Sequence, residues 1–528
     1  MKISKSRGGR AVLTSLILIL LGTFGLNAQA SSGANGKDTL VVDIATPPAS
    51  LDPAAVASIE DLGLLSDLYP TLTKHAIDAS LPGDSQQENS AEVVPYLADS
   101  WDVSADGKVY TFHLHKGAQF PSGAPIDSSA VKWSWNRAFA AGTTGAYFIS
   151  GGSKVVSLDT PDVQTLVVTL AGPAPDYLAA LTSVGAAVVD RTVLEKNGST
   201  ADEQNKWLAS HFAGGGPYVI ESYQAGTSLT LKANPSFWGP APRHSRVAIR
   251  FISDDSTLLL RARNGQSDVT LGLTKQAVSS LKTNTKVKII DKPAAAWELV
   301  GLPNKLPPFD NVKFREALTY ATPQADLVKK VAFGYGQAFY GPFPPAFAAF
   351  NADLSKPRPF DLAKAKALIA ESGVKGPVKA DLYIRDGIND QKQIATVLQD
   401  TWKGLGIQLT IRQLSAAEYQ QAVGAPEKKW LIVRFDGPSI TTPGWLSSYD
   451  TFSGSPYNQS NYSNPQVDQL IQAANNELSA SARQRIWDQL TQLWIADSPR
   501  VLAYAQNYTV ILKKDIGQND LLFHLWGR

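Results

Sequence analysis

The chain has 528 residues, 44% of them hydrophobic and 18% charged, with a formal net charge of +2. That length exceeds a single core and predicts two or three domains of ordinary soluble composition. Four of the positive charges, Lys2, Lys5, Arg7 and Arg10, precede an apolar run from Ala11 to Leu26 and the stretch Asn27-Ala28-Gln29-Ala30. This is the pattern of a secretory signal with an A-x-A cleavage site before Ser31, and the run is short for a membrane anchor. Without those four positives the net charge is about −2 (+2 − 4), which gives no electrostatic case for nucleic acid. There are no cysteines, so disulfides, thiolate metal sites and a lipid-bearing cysteine are excluded. Met1 is the only methionine. A mature chain without sulfur fits lineage bias, resistance to methionine oxidation, or sulfur economy in a scavenging protein.

In chain order, Thr39–Ile44 reads as a buried strand, followed by Ser50-Leu51-Asp52-Pro53 and Asp67-Leu68-Tyr69. The polar stretch His75–Asn89, around Pro82-Gly83, predicts a boundary. Trp101–Val103 and Val109–His115 predict a hairpin about Asp106-Gly107, with Tyr110, Phe112 and Leu114 on one face. Asp127 is placed to N-cap a helix through Val131, Trp135 and Ala138. Val155–Leu170 predicts two alternating strands about a turn at Thr160-Pro161-Asp162. Gly214, Gly215 and Gly216 allow backbone angles that a chain crossover needs.

Farther on, Asp361 caps a helix closed by Gly373, and Val378, Ala380, Leu382 and Ile384 alternate as a strand. A helix face follows with Ile394, Val397, Leu398 and Leu405, then a strand with Ile407, Leu409 and Ile411. Strand–helix–strand of this length implies a parallel pair with a right-handed crossover. Asn464-Pro465 starts a helix with Val467, Leu470, Ile471 and Ala474 inward. A second helix buries Ile486, Leu490, Leu493 and Trp494.

Nothing in the sequence demands catalysis. The histidines stand at 75, 113, 115, 211, 244 and 524, with no H-E-x-x-H, no G-x-S-x-G elbow and no Walker or dinucleotide glycine motif. His113 and His115 share a strand face, which reads as a solvated sheet face rather than a metal site. Binding asks instead for a cleft lined by aromatics with a few polar anchors. The segment Trp430–Trp445 is the central candidate. Its alternation sends Leu431, Val433 and Phe435 to a core and Ile432, Arg434 and Asp436 to the other face. Arg434 and Asp436 at the mouth of a strand offer a bidentate donor and an acceptor to a polar ligand. The alternative is a surface ion pair of little consequence.

The wording of several segments is specific. Residues from Pro95 read P-x-L-A-x-S-W-x-V-S-x-D-G-x-x-Y-T-F-H-L-x-K-G, then G-x-P, then S-W-x-R-A. With Val168–Pro175, Phe212–Tyr218, Asn234–Trp238, Gly265–Asp268, Pro307–Val312 and Arg315–Leu318, this resembles the peptide/nickel-type (family 5) solute-binding proteins of ABC importers. Ser122 and Ala130 stand where that family usually has aspartates, and Phe237 replaces a tyrosine.

The resemblance implies an α/β, periplasmic-binding-protein-like clamshell of two main lobes plus an extra N-terminal-side lobe. Lobe I takes 31–78, 210–300 and 505–528, lobe II 79–209 and lobe III 301–504. It implies a periplasmic protein, not a lipoprotein and not an enzyme, that needs no cofactor or metal. It would capture a short peptide or amino-acid conjugate as a monomer and deliver it to an inner-membrane ABC permease with separate ATPase subunits. An oligosaccharide or opine, a metal chelate, and a secreted hydrolase are the alternatives.

The implied ligand-facing residues are Ser58 and Ile59 through their backbone, Tyr147 in a lobe II loop, and Trp297 and Glu298 in the strand before Gly301. Arg434, Asp436, Ser439 and Trp445 complete the set. Oligopeptide binders carry an aspartate for the peptide ammonium four residues before the proline that is Pro443 here. This chain has Ser439 at that position, and a serine cannot neutralise a buried ammonium.

Overall fold

The computed structural model describes residues 39–55, 59–77, 88–437, 442–458 and 460–517. Two long strands, Val287–Gly301 and Arg500–Lys513, pair antiparallel along almost their whole length. They sit inside one sheet that has eleven strands among the described residues, one of them the two-residue Gly336–Gln337 that pairs with Arg500–Lys513 off the main path. On one side of the pair lie Val269–Leu271, Thr39–Ile44, Arg246–Phe251, Ser228–Ala233 and Tyr218–Gln224, the sheet of lobe I. On the other lie Leu431–Asp436, Val378–Arg385 and Ile407–Leu414, the sheet of lobe III. Thr39–Ile44 runs parallel to both of its neighbours, and so does Val378–Arg385. The predicted parallel pair in lobe III is therefore present, connected through the helix Asn389–Lys403. Leu405 falls beyond that helix, while Ile394 and Leu398 are fully buried on it.

Lobe II is a four-stranded antiparallel sheet, Ala98–Val103, Val109–Leu114, Thr165–Leu170 and Val155–Asp162, covered by the helix Ser128–Ala141. The hairpin forms as the alternation requires. Trp101 pairs with Phe112, and Tyr110, Phe112 and Leu114 are buried. The Asp127 carboxylate accepts from the Ala130 amide at 3.0 Å, the expected N-cap. The turn of the second hairpin lies later than predicted. Thr160 to Asp162 continue the strand, and the chain reverses at Val163-Gln164, where the Asp162 carboxylate accepts from the Gln164 amide at 2.8 Å. Pro161 is tolerated because this is an edge strand with no neighbour to claim its missing donor.

The role of the glycine run also differs from expectation. Gly214 and Gly216 do not take left-handed angles. A Cβ on Gly214 would strike the Leu68 carbonyl, and one on Gly216 would stand 2.6 Å from the Asp67 carbonyl. Close backbone approach, not turn geometry, selects glycine there. Residues 78–87, most of the predicted boundary, lie outside the described residues, but Thr73–Ile77 and Glu88–Pro95 flank them as an antiparallel pair.

Lobes I and II share one hydrophobic core, which runs from Leu40, Val42 and Leu231 through Leu68 to Phe112, Trp135 and Val168. A buried ion pair crosses the same junction. Arg137, on the lobe II helix, donates to both oxygens of Asp52 at 2.7 and 3.1 Å. The two side chains are 3% and 0% exposed. Lobe III has cores of its own on the two faces of its sheet. Arg137→Ala leaves the Asp52 carboxylate buried without its cation, and denaturant unfolding is expected to show a loss of about 3–5 kcal/mol.

Candidate functional site

In open α/β sheets, ligands bind beyond the carboxyl ends of parallel strands, where loops diverge. Here two such sets of ends meet. The segment after Val269–Leu271 in lobe I and the segments after Val378–Arg385 and within Leu431–Asp436 in lobe III line one cavity of about 560 Å3. Its walls carry charges of both signs: Lys275, Arg385 and Arg434 against Glu298 and Asp390. The floor comes from the two long strands, where Gln506 Nε2 donates to Glu298 Oε1 at 2.9 Å. Lys275 donates to the Asn507 carbonyl and to Thr509 Oγ1 on the second long strand. Burial pushes its ammonium down to about 8, against the pull of Asp291 and Asp390. Burial likewise pushes the Asp390 carboxyl up, and Lys275 opposes the shift. Asp390 sits in the first turn of the helix Asn389–Lys403, where the helix dipole favours an anion.

The lobe II side of the cleft is aromatic. Tyr147 stands edge-on to Trp445 of lobe III, with ring centroids 5.8 Å apart and planes at 80°. Trp445 stacks on Tyr449 at 4.6 Å, and Tyr449 on Tyr457 at 4.3 Å. Arg434 Nη2 donates to Tyr449 Oη at 3.4 Å, which ties the arginine to this stack. Burial, with the neighbouring tyrosines, pushes the Tyr147 hydroxyl up to about 12. Trp445 packs against the lobe I/II core and against a lobe III core at once. A smaller cavity of about 280 Å3 opens beside it, between Tyr147, Lys154 and Asp176 of lobe II and Trp445, Ser448 and Asn475 of lobe III.

The structure brings together Tyr147, Arg434 and Trp445, and it places Glu298 with Arg434 at the larger cavity. Tyr147 lies on a short helix, Thr144–Ser150, rather than in a loop. Trp297 and Glu298 are neighbours in one strand and so face opposite sides of the sheet. Trp297 is 2% exposed and packs edge-on against Phe347 in a lobe III core, while Glu298 faces the cavity. Phe435, expected in a core, is 43% exposed, because its strand has by then run past the core into the cleft. Ile432, expected on the opposite face from the core, is 1% exposed and so is buried as well. Asp436 pairs through its backbone with Trp297. Ile59 begins the helix Ile59–Leu65, and Ser58 and Ser439 lie outside the described residues. Lys275, Asp390, Gln506, Tyr449 and Tyr457 carry no motif or resemblance that singles them out in the sequence. The first two stand just after predicted or short strands, which was the available signal. His113 and His115 each meet a separate carboxylate, Asp102 at 3.1 Å and Asp99 at 2.9 Å.

A sequence profile described as bacterial extracellular solute-binding proteins, family 5 middle, matches residues 92–466. The chain belongs to this family. As a solute-binding protein of an ABC importer it binds its cargo and does not transform it. It is 28% identical over 505 residues to the probable D,D-dipeptide-binding periplasmic protein DdpA of Escherichia coli K12, covering 95% of this chain and 94% of the relative. It is 25% identical over 461 residues to the glutathione-binding protein GsiB of Shigella flexneri, covering 84% and 88%. Among solved structures, the periplasmic binding protein DppA of Helicobacter pylori, in complex with the peptide STSA, superposes with a TM-score of 0.76. That comparison has 22% identity and covers 92% of this chain and 98% of that one, which establishes the clamshell fold.

This solute-binding protein has a further cavity of about 530 Å3 between lobes I and II, walled by Tyr96, Phe237 and Trp238. It shares no lining residue with the cleft. The double substitution Arg434→Ala with Asp436→Ala is expected to abolish ligand binding in calorimetry while circular dichroism stays unchanged. Undiminished affinity would remove the pair from the site.

Proposed function

We propose that this protein captures a short peptide or amino-acid conjugate in the cleft between lobe III and the body formed by lobes I and II. It then carries this cargo to an inner-membrane permease driven by separate ATPase subunits. The observation that carries the reading is Trp445, rooted in lobe III yet packed on the core of the opposite body. A residue that belongs to both sides of a cleft makes closure and binding one event, because ligand and tryptophan complete the same surface. Charges of both signs in the larger cavity suit a zwitterion such as a dipeptide better than a neutral oligosaccharide. The dipeptide- and glutathione-binding relatives support the same class.

The test is a thermal-shift screen of the purified protein against D-Ala-D-Ala, L-dipeptides, glutathione, an opine, a neutral oligosaccharide and a nickel–histidine chelate. A peptide or glutathione at a hundred times its Kd stabilises by about 2.7 kcal/mol through mass action and raises Tm visibly. A response to the oligosaccharide or the chelate alone would overturn the peptide reading. The near-absence of sulfur from the chain makes glutathione an informative arm, since a sulfur scavenger is expected to bind a sulfur-bearing cargo.

The same reading places the protein in the periplasm as a monomer, with its basic and apolar leader removed after Ala30. Intact mass of the protein recovered from a periplasmic extract is expected to correspond to a chain beginning at Ser31. Retention of the leader would contradict this.

A further inference from the structure

Lobe II touches lobe III away from the two long strands, and the contacts are of a different kind from those that join lobes I and II. Arg483 Nη1 stands 2.8 Å from Asp176 Oδ1, with the two side chains 21% and 19% exposed. Asp176 immediately precedes Tyr177, which is fully buried in the lobe II core. Arg483 lies in the first turn of the helix Ala480–Asp497, whose Trp487, Leu490 and Trp494 are buried in lobe III. Each partner is thus anchored in its own body, and the pair adds an ionic contact across the gap that Tyr147 and Trp445 also bridge.

Two glycines mark how closely the bodies approach. A Cβ on Gly444, next to Trp445, would stand 3.1 Å from Asp176 Oδ2. At the tip of the lobe II hairpin, Gly107 adopts φ +67°, and a Cβ there would stand 2.7 Å from a methyl of Leu478 in lobe III. Leu478 is 47% exposed, so this contact does not belong to a sealed core.

We propose that Asp176 and Arg483 are positioning residues for cargo capture. They latch lobe II to lobe III and hold Tyr147 against Trp445, a contribution to the closed form that the protein makes with its own side chains and that needs no cargo. The latch takes its purpose from the capture reading above, but its test needs no ligand. A partly exposed ion pair is modest in strength and is screened by salt. Losing it is expected to lower the closed-to-open ratio about five-fold, enough to shift a balanced equilibrium without touching the fold.

The chain has no cysteines, so two introduced ones carry dyes without competition. Val163 of lobe II is 67% exposed and Phe360 of lobe III 48% exposed, and Val163→Cys with Phe360→Cys reports the separation of the bodies. Single-molecule energy transfer on the ligand-free protein is expected to show a closed population that falls about five-fold in ratio with Asp176→Asn or with Arg483→Gln. Adding 1 M NaCl should do the same to the parent and leave either variant unchanged, because about 3 Å of screening length remains at that salt. The charge swap Asp176→Arg with Arg483→Asp should restore the closed population, which a purely structural role would not. Single variants that leave the closed population unaltered, or a swap as open as the single variants, would overturn the latch. A cargo that binds without moving the transfer signal would count against capture by closure and leave the ligand-free result standing.

Discussion

The architecture depends on two antiparallel strands, Val287–Gly301 and Arg500–Lys513, that belong to both halves of the molecule. Their ladder is continuous enough to hold lobe I and lobe III in one sheet, yet its register shifts between Pro293 and Trp297 and again between Glu298 and Leu299. Such irregularities bend a strand and raise its local twist. They fall where the strand leaves the lobe I sheet and begins to pair with Leu431–Asp436 of lobe III. Alternation then makes one strand serve two purposes. Trp297 and Leu299 face a lobe III core, and Glu298 between them faces the cavity. The floor of the cleft is as rigid as the sheet that forms it, although it is also where the two bodies are joined. The expected boundary at residues 300 and 504 falls within this strand pair, which is continuous on both sides of it.

The three lobes are not equivalent partners. Lobes I and II are fused by a common core and by the Asp52–Arg137 pair, which is inaccessible to water. Separating them would expose the shared apolar core to water and give up an ion pair that water does not screen in the folded protein. Lobe III meets this body through the hinge strands, the Trp445 aromatic stack and a half-buried ion pair. Any large rearrangement therefore follows the weaker seam, with lobe III moving against lobes I and II as one unit.

Local structure was legible in the sequence where a short pattern and its punctuation sufficed. Asp127, Asp361 and Asn464 cap the helices assigned to them, and Tyr110, Phe112 and Leu114 are buried as their alternation required. Reading failed where a residue's fate is decided by distant chain. Phe435 obeys the alternation of Leu431 and Val433 but lies beyond the end of the core. Ile432 sits on the face assigned to ligand, yet it is buried. Gly214 and Gly216 answer to the carbonyls of Leu68 and Asp67, nearly 150 residues earlier. The candidate site was only partly visible for the same reason. Arg434, Trp445 and Tyr147 could be chosen from residue type and resemblance, but Lys275 and Asp390 become neighbours only when the strand ends of two lobes are brought face to face. Sequence periodicity reports which face a residue takes. It does not report what stands opposite.

Ligand capture by closure needs contacts that exist only in the closed form, because a ligand shifts an equilibrium by no more than its differential affinity for the two states. The cleft supplies such contacts on both sides. Tyr147 and Trp445 meet only across the gap, and Lys275 of lobe I shares its cavity with Asp390 of lobe III. The strength of the lobe II–lobe III seam then decides how much is left for the cargo to do. Had Asp176 and Arg483 been buried as deeply as Asp52 and Arg137, water would screen their attraction less in the closed form, and parting the bodies would give up more. At about one-fifth exposure each, they remain within reach of water when the bodies part, and the cost of opening stays small. The contrast between two ion pairs of similar length, one sealed and one accessible, separates the joint that must hold from the joint that must yield.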